Sequence, residues 1–315
     1  MKVLIAGATG ALGRQIVPRL IDAGHEVAGT TRTPGKERQL REAGVTPFVV
    51  DGLDHDGVLS AVQAFEPDAI MHQLTALSSM DMRHFERDFA PTNRLRTEGT
   101  DHLLAAGKAT GVRRFVAQSF AGWPYARIGS MVKTEEDPLD PEPIGPMRPT
   151  VEAIRHLEAA VTGADWTEGI VLRYGGLYGP GTTLDSGSEM LEMIRKRMFP
   201  IIGGGAGVWS FVHVEDAADA TVSALTRGSR GIYNVVDDEP AAVREWLPVI
   251  ARQLGGRAPF RIPRWLGQLM AGEAIATMSV EGRGASNARA KAELGWQPRH
   301  ASWRDHLVQR EAIAA

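Results

Sequence analysis

Three groups of residues in this 315-residue chain have the types and spacing to do chemistry. The first is Gly7-Ala8-Thr9-Gly10-Ala11-Leu12-Gly13. Glycines at 7, 10 and 13 let the backbone turn tightly, let a pyrophosphate approach the amides, and let a helix pack closely on a strand. Free N–H groups and the partial positive charge at the helix start then hold the phosphates. The second group is Thr30-Thr31-Arg32. A carboxylate at such a point would accept the 2′-hydroxyl of an adenosine ribose. Here the acid is absent, and Arg32 offers a cationic fork to a 2′-phosphate, with Thr31 or Thr33 adding hydroxyls. The expected cofactor is therefore a dinucleotide, NADP rather than NAD. The third group is the four tyrosines, Tyr125, Tyr174, Tyr178 and Tyr233. A phenol with its pKa lowered by a nearby cation can exchange a proton at neutral pH.

The elements that must position these groups follow from hydrophobic patterning. Residues 2–6 form a short apolar run ending at Gly7, which predicts a buried strand. The segment 14–21 is apolar at helical spacing and stops at Gly24, with Pro18 predicting a kink or an open hydrogen bond. Further strands are expected at 26–31, 46–50, 68–72, 114–118 and 169–173, with helices at about 81–109 and 151–161 among them. Strands alternating with helices predict an α/β, Rossmann-type doubly wound parallel sheet, which binds ligands beyond the carboxyl ends of its strands.

With its Gly-rich opening, the chain resembles an extended short-chain dehydrogenase/reductase of the NAD-dependent epimerase/dehydratase type over almost its whole length. The matching pieces are Asp51, His72, Leu172-Arg173-Tyr174-Gly175-Gly176-Leu177-Tyr178-Gly179-Pro180-Gly181, Phe211-Val212-His213-Val214-Glu215-Asp216-Ala217-Ala218, Tyr233-Asn234-Val235 and Leu294-Gly295-Trp296-Gln297-Pro298. The resemblance implies a cofactor domain of residues 1–174 plus about 208–240. A smaller, discontinuous substrate domain would comprise about 175–207 and 241–315. Asp51 and Gly52 would meet the adenine, and Gln73, Leu74 and Thr75 would lie along the ribose and pyrophosphate. Tyr174 would lie near the nicotinamide, and Ser119 is placed in the same cofactor site. Relatives often pair through two long helices, which makes a homodimer compatible, although Arg94, Arg96 and Glu98 also fit a solvated face.

One departure from the family bears on the chemistry. Its Tyr-x-x-x-Lys pair is absent, because Gly129, Tyr178, Thr182 and Asp237 stand four residues after the four tyrosines. Aligned on Glu158, the helix carries Thr150 in the tyrosine position and Ile154 in the lysine position, and the catalytic hydroxyl falls near Phe120. Leu77 and Trp209 also differ, the latter standing where a substrate-binding arginine is common. Tyr125, in the loop after the fifth strand, and Tyr174 are the replacement acid/base candidates. Lys133 and Arg127 could lower the pKa of Tyr125 by folding back. Otherwise Tyr125 packs with Trp123 as a loop anchor. His156 is an outside candidate for proton transfer.

Composition narrows the classes further. With no cysteine there is no thiolate or disulfide chemistry, and the nine histidines show no metal-ligand spacing, so no metal is expected. A net charge of −3 favours neither nucleic acid nor anionic membrane, and no apolar run is long enough to span a bilayer. The expectation is a soluble, cytoplasmic protein with a small-molecule substrate. The proline- and acid-rich segment 131–149 reads as a semi-rigid surface loop. Trp246, Trp265, Leu266, Leu269, Met270, Ile275 and Met278 suggest an apolar cleft. A sugar diphosphate would need cations such as Arg195, Lys196 or Arg197. These features together predict an NADP(H)-dependent oxidoreductase acting on a small, largely apolar carbonyl or alcohol. The alternatives are a non-catalytic NADP-binding sensor or scaffold and a transient-redox epimerase or dehydratase.

Overall fold

A computed structural model describes residues 1–77 and 84–308. Apolar runs form the strands β1 (Lys2–Ala6), β2 (Glu26–Thr31), β3 (Thr46–Val49), β4 (Ala69–His72) and β5 (Arg114–Phe120). Together with Glu168–Tyr174 and Gly231–Val235 they make one seven-stranded sheet, parallel throughout. Its order is Gly231–Val235, Glu168–Tyr174, β5, β4, β1, β2, β3. The order reverses between β1 and β4, the switch point at which such sheets take their ligands.

Helices cover both faces. On one lies α1 (Ala11–Asp22), whose Leu12, Ile16 and Leu20 are buried at a 3.6-residue period. It runs unbroken through Pro18. Short α2 (Glu37–Glu42) and α3 (His55–Phe65) follow. The expected helix at 81–109 begins outside the described residues. From Phe85 it consists of α4 (Phe85–Arg94), a π-helical turn (Leu95–Gly99) and α5 (Thr100–Thr110). Helix α6 runs Arg148–Gly163, longer than its pattern suggested, because Pro149 sits in the first turn, where a missing N–H costs nothing.

The segment 131–149 is pinned down and is not a solvated loop. Val132–Lys133 pairs as a strand with Gly284–Ala285, Arg127 binds Asp140, and the Glu135 carboxylate accepts the Asn234 N–H at 2.6 Å. Residues beyond Tyr174 add α7 (Glu189–Arg195), α8 (Val214–Ser223), α9 (Val243–Gln253), α10 (Arg264–Glu281), α11 (Ala288–Leu294) and α12 (Trp303–His306). Helix α10 breaks at Gly272, where φ is 85°. No described helix is long and apolar enough to cross a membrane.

Candidate nucleotide site and active centre

The Gly-rich turn has the close contacts that only glycine permits. At Gly7, φ is 98°, and a Cβ would lie 2.7 Å from the Gln73 carbonyl oxygen. A Cβ on Gly13 would lie 2.3 Å from the Gly7 carbonyl oxygen, so α1 could not seat on the turn. Gly10 caps α1 without a side-chain hydrogen bond, and the helix ladder starts with Arg14 N–H donating to Gly10 at 3.0 Å. The amides of Ala11, Leu12 and Gly13 therefore face the turn beside Thr9, at the positive end of the helix.

The adenosine end is assembled from the next strand ends. Thr30 accepts the Gly7 N–H at 3.3 Å, and the Thr31 hydroxyl accepts the Thr33 N–H at 3.2 Å. Arg32 is exposed and makes no ion pair among the described residues. Asp51 accepts the Leu53 N–H at 3.0 Å. A Cβ on Gly52 would lie 2.4 Å from the Leu74 side chain, so Asp51-Gly52 and Gln73-Leu74-Thr75 meet across the sheet edge. This cradle fits a dinucleotide: glycines at the closest approaches, free helix amides and an unpaired cation at the far end. When bound, a nicotinamide dinucleotide supplies hydride chemistry.

The region where the acid/base pair would stand is occupied differently. Thr150 and Ile154 are fully buried, and the Thr150 hydroxyl accepts Asn93 Nδ2–H at 3.0 Å. One turn on, Glu158 takes Arg173 in a fork, with Nε at 2.7 Å and Nη2 at 2.6 Å, and also accepts the Ser119 hydroxyl at 2.8 Å. Arg173 donates onward to the Tyr125 hydroxyl at 2.9 Å, which itself donates to Asn234 Oδ1 at 2.6 Å. Ser119 thus belongs to a buried network behind the cradle.

Both tyrosine candidates are buried and their hydroxyls are taken up by neighbouring side chains. Tyr125 is 0% exposed, and burial raises its pKa even though Arg173 opposes the shift. Lys133 does not fold back onto it: its ammonium binds the Ile128 carbonyl at 2.7 Å and Asp137 at 3.0 Å, while Arg127 is held by Asp140 and Glu281. Trp123 packs on Phe85, Phe89 and Phe120, apart from Tyr125. The Tyr174 hydroxyl is buried against Thr221 at 2.7 Å and beside Gln73, and burial raises its pKa steeply. His156 pairs with Asp101 on the surface. His72 is buried with its pKa lowered to about 4 by desolvation, its ring nitrogens spent on Thr100, Leu95 and the Leu74 N–H.

Two further residues stand here: Asn93, which the sequence did not single out, and Arg96, which it grouped with Arg94 and Glu98 as a solvated face. Arg94 and Glu98 form the expected exposed pair, but Arg96, on the π-turn, is only 5% exposed. The signal available was the three-residue spacing of Asn93 and Arg96, which puts both on one helix face.

Beyond the centre the walls are apolar. Phe85 stacks on Phe89 at 4.3 Å and meets Trp123 edge-on at 5.3 Å, and Met147, Ile275 and Met278 complete the cluster. Trp209 donates to the Met278 carbonyl at 3.3 Å. A small cavity is lined by Trp123, Met147, Val151, Thr277 and Met278, with Arg127 and Glu281 also on its wall. Trp265 and Leu269 lie exposed outside this wall. Arg195 and Lys196 both pair with Glu192. The fold also gathers His213, Glu215 and His300, with donor atoms within 4.8 Å of one another. The two imidazoles stack at 3.7 Å and His213 Nδ1 accepts the Glu215 N–H, an arrangement of helix capping.

Residues 3–235 match the model of the NAD dependent epimerase/dehydratase family, and the chain belongs to that family. A 3-diazoavenalumate denitrifying reductase from Streptomyces sp is 43% identical over 98% of this chain and 99% of its own. A 4-hydroxy-2-methyl-3-oxo-4-farnesyl-3,4-dihydroquinoline-1-oxide ketoreductase from Stigmatella aurantiaca is 24% identical over 84% and 78% of the two chains. The UDP-glucose 4-epimerase of Thermus thermophilus, in its complex with NAD, superposes with a TM-score of 0.72, at 27% identity over 99% and 100%. The chain is accordingly an NAD(P)-dependent oxidoreductase of the short-chain/epimerase type.

Proposed function

We propose that the protein is an NADP(H)-dependent reductase of a small, largely apolar aromatic diazo compound, whose diazo group leaves as N2. The observation that carries this reading is that, among the described residues, neither the usual pair nor either tyrosine candidate offers a proton donor at the centre. Thr150 and Ile154 replace the usual pair, and Tyr125 and Tyr174 are buried with raised pKa values. Hydride delivered to a carbonyl creates an alkoxide, which needs a proton or strong hydrogen bonds from the protein. Hydride delivered to an arenediazonium leaves no anion: the cation and hydride together give one arene and one N2, with no proton consumed. Aryl rings also suit the Phe85, Phe89, Trp123 and Met278 walls. The 43%-identical relative bears the name of a reductase of such a substrate. NADP over NAD rests on the unpaired Arg32 and on the missing acid at the end of β2.

The protein is to be mixed with NADPH deuterated at the transferred position and an arenediazonium bearing a propenoate chain. The expected result is N2 release equal to NADPH consumed, with deuterium on the ring carbon that held the diazo group. Turnover of a ketone panel but not of the diazonium would overturn the reading, as would bound cofactor with no net consumption. NADPH is expected to bind at least about tenfold more tightly than NADH, and Arg32→Ala to erase the difference.

A further inference from the structure

Arg96 is a buried cation with nothing to bind. Its Nε and Nη1 are sealed from solvent without acceptors, and it makes no side-chain hydrogen bond among the described residues. The nearest acid that acts on it through space, Glu158, already spends both oxygens on Arg173 and Ser119. Burial lowers the guanidinium pKa to about 10, so it stays charged at neutral pH. An uncompensated buried charge costs several kcal/mol, and such a residue is stable in a fold when a ligand completes it.

Its position identifies that ligand. Asn93 meets Thr150, and further along Asp101 meets His156. These two contacts run α4 and α5 parallel to α6, which puts Arg96 level with about residue 152 of that helix. The charge of Arg96 also reaches His72, the last residue of β4. A dinucleotide crossing this sheet has its adenosine at the ends of β2 and β3 and its pyrophosphate at Gly7–Gly13. Its second ribose then lies beyond β4, toward β5 and α6. The π-turn that carries Arg96 is the kind of helix irregularity that re-aims a side chain.

We propose that Arg96 is a cofactor-binding residue that donates to the nicotinamide-side ribose hydroxyls, placing from the π-turn after α4 a cation that the lysine position of α6 lacks. The sequence carries both halves of the exchange: an aliphatic Ile154 on α6, and a buried arginine on the π-turn that packs against that helix.

The test compares NADPH with 2′,5′-ADP, which keeps the adenosine half and lacks the second ribose. Both are titrated against the wild type, Arg96→Met and Arg96→Lys by calorimetry. Arg96→Met is expected to weaken NADPH about 10- to 100-fold while 2′,5′-ADP changes less than about twofold. Arg96→Lys should recover most of the NADPH affinity. Unchanged NADPH affinity in Arg96→Met overturns the proposal, and so does an equal loss for both ligands, which would mark a purely structural arginine. If Arg96→Met does not fold, Arg96→Lys decides alone, because a lysine there must retain the selective NADPH affinity. Repeating the series with NADH and ADP keeps this outcome separate from the NADP preference argued from Arg32.

Discussion

Tyr125 ties three segments of chain together through one oxygen. Its hydroxyl donates to Asn234 and accepts from Arg173, which is itself held by Glu158. Replacing it with phenylalanine leaves a buried guanidinium N–H and an amide oxygen unpaired, at a cost of about 1–3 kcal/mol. Tyr125→Phe should therefore lower Tm by several degrees and leave turnover per folded molecule within about twofold. Tyr174→Phe, which loses the contacts of its hydroxyl with Thr221 and Gln73, should cost about 1 kcal/mol with the same indifference in rate. A hundredfold loss of turnover in either variant would restore that tyrosine as the acid/base group. At this scale the sequence was legible by elimination. The lack of any Tyr-x-x-x-Lys spacing is readable directly, and so is the presence of Thr150 and Ile154 on the helix. The cation proposed in place of the lysine was hidden, because Arg96 reads as one charge in a solvated run, and only the packing of the π-turn against α6 buries it.

The cofactor cradle is a property of elements. Its cost and use can be separated at Gly13, where a Cβ would meet backbone oxygens of Gly7 and Ala8 at 2.3 Å and 2.6 Å. Backbone cannot swing aside as a side-chain tip can, so Gly13→Ala must push α1 off β1. The expected result is a loss of stability of about 1–3 kcal/mol together with loss of NADPH binding. Gly35→Ala, which meets nothing within 4 Å, should change neither. Melting curves with and without NADPH check both variants. An apolar run ending at Gly7 predicted β1 to the residue, because it is buried on both faces and has no competing period, and β2 was predicted with the same bounds although Gly29 lies inside it. Segment 131–149 was less legible. Prolines correctly exclude a helix across most of it, but they carry no record of long-range partners, and it is the Arg127–Asp140 and Glu135–Asn234 contacts that fix it. Pro149 shows the converse: the same residue that interrupts a helix interior is favoured in its first turn.

Across the whole molecule, the C-terminal segment is fastened to the sheet through two buried carboxyl groups. Asp216 accepts the N–H groups of Arg299 and His300, and the Trp296 indole donates to its carbonyl. Asp237, just beyond the Gly231–Val235 strand, accepts the N–H groups of Glu239 and Trp303. Trp303 is itself fully buried against Phe211. Burial pushes the Asp237 carboxyl up to about 8, even though both of those backbone bonds favour the anion. The sign of the linkage follows from this. In the unfolded chain an aspartate ionises near pH 4, whereas the folded state holds its proton to about pH 8. Between these values the folded state binds more protons, so this group's contribution to stability is full below about pH 4 and falls as pH rises to about 8. The slope approaches about 1.4 kcal/mol per pH unit if the group titrates independently. Asp237→Asn removes the titration while keeping a side-chain acceptor, so its stability relative to the wild type should rise steadily from pH 5 to pH 8. Urea unfolding monitored by the fluorescence of the seven tryptophans checks this, since Trp303 is packed beside the titrating group. A stability difference that stays flat across that range would mean that the two backbone N–H bonds outweigh burial and that Asp237 is ionised in the folded protein.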